Sequence, residues 1–112
     1  MTVASDHNPY VGDVGVVFEQ TLFKASDHNV LDVSTATKLY FLFFKPDNTT
    51  VQKTAVLSTD GKDGKVRYST EAGFLDMAGA WKYQVYAEGP FGHFHTDPIM
   101  TFKVQAPVAL VV

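Results

Sequence analysis

The residues of this chain best suited to chemistry are two histidines and an aspartate at alternate positions, His93, His95 and Asp97. Alternate residues of a β-strand share a face, so these side chains could converge on one metal ion, and two histidines with a carboxylate are a familiar ligand set. However, no fourth ligand is evident, and polar residues in this pattern are also typical of the solvent side of an edge strand. We favour the edge strand and predict no metal site.

Other patterns that could support chemistry are better explained as turns. Asp60 and Asp63 stand beside glycines, but their spacing does not match the alternate ligands and distal glutamate of an EF-hand, so Asp-Gly turns are favoured. His7 and His28 lie in a repeated pentapeptide, Ala-Ser-Asp-His-Asn, whose aspartates suit turns. The chain has no nucleophile elbow, no phosphate-binding glycine loop and no cysteine. We therefore predict neither an enzyme nor a cofactor.

The composition indicates one small globular domain. The chain has 112 residues, of which 46% are hydrophobic and 19% charged, and its net charge is -3. Its nine basic residues are scattered, which argues against nucleic-acid binding. The first residues resemble no signal peptide, and no apolar run is long enough to span a membrane. We expect a protein that is neither secreted nor membrane-bound, and the lack of cysteine disfavours secreted immunoglobulin domains.

Turn signals that separate short β-rich runs predict an antiparallel β-sandwich or barrel. The runs are 16–23, 38–45, 51–57, 66–69, 81–87 and 93–104, with one helical turn expected within 71–75. The hairpin at 45–49 should place Asn48 in the left-handed region, which asparagine tolerates. We divide the chain into an N-terminal arm (1–9), a sandwich (10–105) and an apolar C-terminal tail (106–112).

Alternation within the strands predicts which side chains enter the core. The predicted core residues are Val16, Phe18, Leu22, Leu39, Phe41, Phe43, Trp81, Tyr83, Val85, Phe102 and Val104. Three aromatic residues in loops, Tyr10, Phe74 and Phe91, are expected outside the core.

The alternate residues of the second run, Tyr40, Leu42 and Phe44, must point away from the core. A sandwich buries only one face of each sheet, so these side chains should form an apolar patch that Tyr86 extends. A neighbouring copy, another protein or the chain's own tail could cover it, and we favour a protein partner. Val108, Leu110 and Val111 of the apolar tail are predicted to contribute to docking as well.

Several turn motifs, taken in order, resemble a known family. A Gly-Asp occurs within 10–15, Lys-Pro-Asp-Asn-Thr within 44–51, Asp-Gly-Lys-Asp-Gly within 60–68, and Asp-Met-Ala-Gly-Ala-Trp at 76–81. Together they resemble small immunoglobulin-like modules of tailed-bacteriophage virions, which include the amino-terminal module of siphophage upper baseplate proteins. The resemblance covers about residues 10 to 104. Two departures are Asn48, where the family has glycine, and Phe44, where lysine is common.

The resemblance implies an all-β, immunoglobulin-like antiparallel β-sandwich of about seven strands. It also implies a structural component of a virion, made in the host cytoplasm, whose partners are other virion proteins or copies of itself. Two other hypotheses remain open. One is a carbohydrate-binding adhesion module, which needs exposed aromatic residues flanked by amides and carboxylates. The other is a metal-dependent protein that uses His93, His95 and Asp97.

Overall fold

The computed structural model describes residues 8–24, 27, 29–96 and 99–108. In these residues the chain forms eight strands and no helix. The strands are β1 (Val17–Thr21), β2 (Lys38–Phe44), β3 (Thr50–Thr54), β4 (Val56–Leu57), β5 (Lys65–Ser69), β6 (Gly79–Gly89), β7 (Gly92–His95) and β8 (Met100–Val104). The prediction of an all-β chain is confirmed.

The strands form two antiparallel sheets. The three-stranded sheet has the order β1-β5-β4, and the five-stranded sheet has the order β3-β2-β6, with β7 and β8 pairing successive parts of the other edge of β6. In the letters of the immunoglobulin fold these orders are B-E-D and C′-C-F-G. A parallel bridge from Tyr10 to Gln105 places the start of the described chain beside β8. The chain is thus an immunoglobulin-like β-sandwich, as predicted, with eight strands in its described residues.

The core lies between the sheets and is rich in aromatic rings. Phe18 of β1 reaches across to the five-stranded sheet, with ring centroids 5.4 Å from Phe43, 5.3 Å from Tyr83 and 4.9 Å from Phe102. Tyr68 of β5 adds a second contact to Phe43 at 5.7 Å. These rings come from alternate positions of their strands, so the pleat directs them all into the space between the sheets.

Most of the predicted core is confirmed. Nine of its eleven residues are buried, namely Phe18, Leu22, Phe41, Phe43, Trp81, Tyr83, Val85, Phe102 and Val104. Val16 and Leu39 are only partly buried and pack against these residues. The connecting segments also contribute buried residues, which are Leu31, Val33, Phe74 and Leu75. The prediction that Phe74 lies outside the core is wrong, because its ring packs 4.8 Å from that of Phe43.

The predicted hairpin at 45–49 forms. The Lys45 N–H donates to the Thr49 carbonyl and the Asn48 N–H donates to the Lys45 carbonyl, both at 2.9 Å. Asn48 has a φ of 69°, the left-handed conformation predicted for it. The hairpin thus reverses the chain between β2 and β3.

The hairpin is held against the segment that leads into β6. Lys45 Nζ lies 2.8 Å from the Asp76 carboxylate and 5.5 Å from the centre of the Trp81 ring. Gly79 has a φ of 134°, and a Cβ at this position would lie 2.8 Å from Pro46 Cγ. Because glycine alone fits this close approach readily, the Lys-Pro-Asp and Asp-Met-Ala-Gly-Ala-Trp motifs are two sides of one packed contact.

The run at 51–57, predicted as one strand, is divided between the two sheets. It breaks at Ala55, whose N–H still donates to the Leu39 carbonyl at 2.8 Å. Beyond this residue β4 pairs with β5 of the three-stranded sheet. Ala55 is buried, and its small side chain suits the crossing from one sheet to the other.

Two further sequence predictions are corrected. The segment 71–75 is a turn, not a helical turn, and contains one backbone hydrogen bond, from the Phe74 N–H to the Glu71 carbonyl at 3.2 Å. The run at 93–104 forms two strands, β7 and β8, instead of one interrupted strand. The Thr96 N–H and hydroxyl both donate to the Val85 carbonyl, at 2.8 and 2.9 Å, where β7 ends.

We expect Trp81→Ala to lower the free energy of unfolding by about 3–5 kcal/mol, since the side chain is fully buried and its indole N–H donates to the Met77 carbonyl. For a domain of this size the melting temperature should fall by roughly 15 °C or more. Thr101→Ala, on the exposed side of β8, is the control and should leave the melting temperature nearly unchanged. Equal melting temperatures for the two variants would contradict this packing.

The stability of the fold should decrease in acid. The Glu71 carboxylate accepts hydrogen bonds from Lys53 Nζ and the Tyr68 hydroxyl, and these hold its pKa below the ordinary value of 4.5, the lysine contributing most. A pKa that is lower in the folded state stabilises the fold above the unfolded pKa, and this contribution is lost as the pH falls through the folded pKa.

The urea midpoint of the parent should therefore fall between about pH 5 and pH 3. Glu71→Gln should have a lower midpoint at pH 7 and a smaller fall. Glu19→Gln, at a residue that makes no hydrogen bond to a described side chain, is the matched control. If Glu71→Gln shows the parent's full acid dependence, these hydrogen bonds do not set it.

Candidate docking surface

The side of the five-stranded sheet that points away from the core, which we call the outer face, contains four of the predicted interface residues. Pairing of β2 with β6 places Tyr40 opposite Tyr86, and it places Leu42 and Phe44 in the same row of alternate residues. Directly opposite residues share a face of a sheet. The four side chains therefore lie together, as their alternation predicts.

The strip formed by these residues is accessible. Phe44 is 37% exposed, while Tyr40, Leu42 and Tyr86 are half-buried by their neighbours in the sheet. Ile99, just before β8, adds a further apolar side chain that is 59% exposed. The inward residues of β2 and β6 are buried, apart from the partly buried Leu39, so the outer face is the more solvent-exposed side of this sheet.

The two tyrosines form one end of the strip. Their rings are nearly parallel, with an interplanar angle of 11° and centroids 6.4 Å apart. The His95 ring packs edge-on against Tyr86 at 5.3 Å. Together with Leu42 and Gln52, they line a shallow depression of about 280 Å³.

Hydrogen bonds fix the orientation of this end. The Tyr86 hydroxyl donates to Glu88 Oε1 at 2.8 Å, and this bond raises the pKa of Tyr86. Lys38 Nζ lies 3.7 Å from the same carboxylate. Lysine, glutamate and tyrosine thus form one connected polar group beside the rings.

The other end of the strip is more apolar. Lys82 Nζ lies 5.2 Å from the centre of the Phe44 ring, within range of a cation–π contact. A second depression, of about 250 Å³, lies between these residues and Ile99, and Leu42 borders both depressions. The surface therefore has two shallow hollows on either side of one leucine, a shape that a protruding partner side chain can fill.

No family model matches the chain, and no curated protein sequence does either. No helix in the described part of the chain is long and apolar enough to cross a membrane.

The remaining predicted site residues lie elsewhere or outside the described part. Val108 is 93% exposed, and it follows β8 in a segment whose described residues, 106–108, are all exposed. Leu110 and Val111 lie outside the described residues. His93 and His95 lie exposed on β7, and Asp97 is also outside the described residues. Among the described residues, no three metal-binding side chains come together.

Lys82 and Ile99, which both line the second depression, were not among the predicted site residues. Lys82 alternates with Tyr86 along β6, so its position on the same face could have been derived from the sequence. Ile99 could not, because its approach to Phe44 depends on where the chain rejoins β6 after β7. Such positions are set by the path of the chain through space, and no local pattern indicates them.

Removal of residues 106–112 should leave the sandwich folded, because the described residues of this tail, 106–108, are exposed and the last backbone hydrogen bonds of the described chain are those of Gln105 with Pro9 and Val11. The melting temperature should change by no more than a few degrees, whereas assembly with a partner should weaken. A variant of the same length, in which 106–112 are replaced by glycine and serine, separates the loss of apolar side chains from the loss of chain length. Failure of the truncated chain to fold would instead assign the tail to the core.

Proposed function

We propose that this chain is a non-enzymatic, immunoglobulin-like structural module of a tailed-bacteriophage virion, which docks on other virion proteins through the outer face of its five-stranded sheet. The observation that carries the proposal is the apolar strip on that face. Contiguous apolar patches on otherwise well-packed small domains are commonly interaction sites.

The composition of the strip supports docking on a protein. Aromatic residues are enriched in the centres of protein interfaces, and two tyrosines and a phenylalanine lie here with a leucine between them. Neighbouring side chains already hold these rings, so little conformational freedom is lost when a partner covers them.

The virion context rests on the resemblance of the motifs, two of which pack against each other. The motifs on which the resemblance rests lie in turns, and two of them meet where Lys45 contacts Asp76 and Trp81. A shared structural contact is a reason for such motifs to occur in a fixed order. Phe44, which departs from the family pattern, lies outside this contact on the outer face, where a change of residue can alter the choice of partner and leave the fold unchanged.

A carbohydrate-binding adhesion module is the second candidate. The parallel rings of Tyr40 and Tyr86, with Gln52 and Glu88 beside the same depression, provide the aromatic and polar groups that sugars need. The tyrosine hydroxyl and the carboxylate are hydrogen-bonded to each other, however, and both tyrosines are half-buried. These features leave less of the rings and fewer free acceptors for a sugar, so we favour docking on a protein.

Leu42→Lys tests the proposal. It places a charge at the centre of the strip, and we expect it to weaken docking by at least about 2 kcal/mol, roughly thirtyfold in affinity. The measurement is the amount of tagged chain that co-purifies with phage particles, alongside the melting temperature of the isolated chain. Val56→Lys is the matched control, since Val56 is 53% exposed on the three-stranded sheet.

The proposal requires Leu42→Lys to be excluded from particles while Val56→Lys is retained. Incorporation of both variants at the parent's level would show that the outer face is not the docking site. Binding of a glycan that is lost in Tyr86→Ala, with incorporation unchanged, would favour the adhesion module instead.

A further inference from the structure

The charges of the outer face differ in sign from those of the whole chain. Lys38, Lys82 and Lys103 lie on this face, each at an outward position of β2, β6 or β8, and Glu88 is the one carboxylate among its described residues. Three lysines and one glutamate give a net charge of +2, whereas the chain as a whole carries -3. The outer face is therefore a basic region on an acidic protein.

The carboxylates are concentrated elsewhere. Eight of the ten described acidic residues lie in connecting segments, and they are Asp13, Asp27, Asp32, Asp47, Asp60, Asp63, Glu71 and Asp76. Several of them accept hydrogen bonds from nearby backbone N–H groups and so shape the turns. These acidic residues form turns at the ends of the sandwich. On the broad outer face, lysine is therefore the main charged residue.

The one carboxylate of the face is already satisfied within the chain. Glu88 accepts the hydrogen bond from Tyr86 at 2.8 Å and lies 3.7 Å from Lys38. Lys82 and Lys103 form no ion pair with a described residue. A partner therefore meets two unpaired cations at the end of the strip that contains Phe44.

The size of the strip requires the partner to contact these charges. The outward residues of β2, from Lys38 to Phe44, extend over about 20 Å, and the sheet is about 14 Å wide between its outermost strands. This planar area of the whole sheet face, which already includes Lys38 and Lys82, is on the order of 300 Å², well below the roughly 800 Å² that each partner buries in a typical stable interface. A stable complex must extend beyond the apolar strip onto the lysines.

A second copy of this chain is a poor occupant of the surface. Symmetric pairing places the same patch on both sides of the interface, so each basic face would meet another basic face. Opposition of like charges disfavours such a complex. The pattern fits a partner of opposite charge.

We propose that the outer face binds a different protein, whose docking surface has apolar side chains at its centre and carboxylates around them. This proposal rests on the proposed docking function and specifies the chemistry of the partner. The apolar centre covers Leu42 and Phe44, while the carboxylates of the partner pair with Lys82 and Lys103.

A charge-swapped copy of the chain can serve as a probe of this chemistry. The variant combines Lys38→Glu, Lys82→Glu and Lys103→Glu, which keeps the apolar strip but surrounds it with carboxylates. The control variant combines Lys24→Glu, Lys62→Glu and Lys65→Glu, which makes the same change of net charge at exposed positions away from the outer face. Circular dichroism and melting curves establish that both variants are folded.

Sedimentation of the separate and mixed proteins gives the result. We expect the parent alone and the charge-swapped variant alone to be monomers. Their mixture should associate at least tenfold more tightly than either protein does with itself, and more weakly at 1 M than at 0.1 M salt, where charges act over about 10 Å. The parent mixed with the control variant should remain monomeric.

Three outcomes would overturn the inference: self-association of the parent that Leu42→Lys abolishes, equal association with the control variant, or no association with the charge-swapped variant. The failure of the inference can be distinguished from failure of the docking function. If Leu42→Lys still blocks incorporation into particles while the charge-swapped variant does not bind, the proposal of the docking face stands. Only the proposal of an acidic partner is then rejected. Normal incorporation of Leu42→Lys rejects the docking face itself.

Discussion

The packing of Phe18 between the two sheets is the contact on which the rest of the structure depends. Its ring, from the three-stranded sheet, lies among those of Phe43, Tyr83 and Phe102 of the five-stranded sheet, with centroids 4.9 to 5.4 Å apart. Such pairs contribute about 0.5–1.5 kcal/mol each beyond the burial of their area. These rings can pack against Phe18 only from the inner side of the five-stranded sheet. They therefore fix the register of β2 and β6, and with it which of their residues point into the core.

This register also determines the outer face. A shift of one residue in β2 would exchange Phe41 and Phe43 for Tyr40, Leu42 and Phe44, and the core would lose its closest ring contacts. The strip on the outer face is therefore a consequence of the same pleat that builds the core. Its residues are free to be selected for binding because the core does not depend on them.

The residues that stabilise the fold and the residues proposed for docking thus occupy different positions in the sequence. Lys45, Asp76, Gly79 and Trp81 belong to two of the motifs, and all four serve the contact between the first hairpin and the start of β6. The proposed docking residues lie on the outward side of β2 and β6, outside this contact. A family can keep the turns and vary the strand faces, which is one way for a common fold to serve different partners.

The sequence by itself determined the strand phases and the turns. Alternation identified Phe18, Phe43, Trp81 and most of the other core residues, since a strand directs every second side chain inward. It also predicted that Tyr40, Leu42 and Phe44 point outward, and residue preference placed Asn48 correctly in the left-handed region. These features are local, because they depend on neighbours within a few residues.

Only the tertiary structure decided how the segments meet. The crossing at Ala55 and the burial of Phe74 depend on the space between the two sheets. No local sequence pattern predicts that space. The same holds for the basic character of the outer face, since β2, β6 and β8 each contribute one lysine. In the sequence these lysines are scattered among acidic turns, and strand pairing brings them to one surface because it joins residues that lie far apart along the chain.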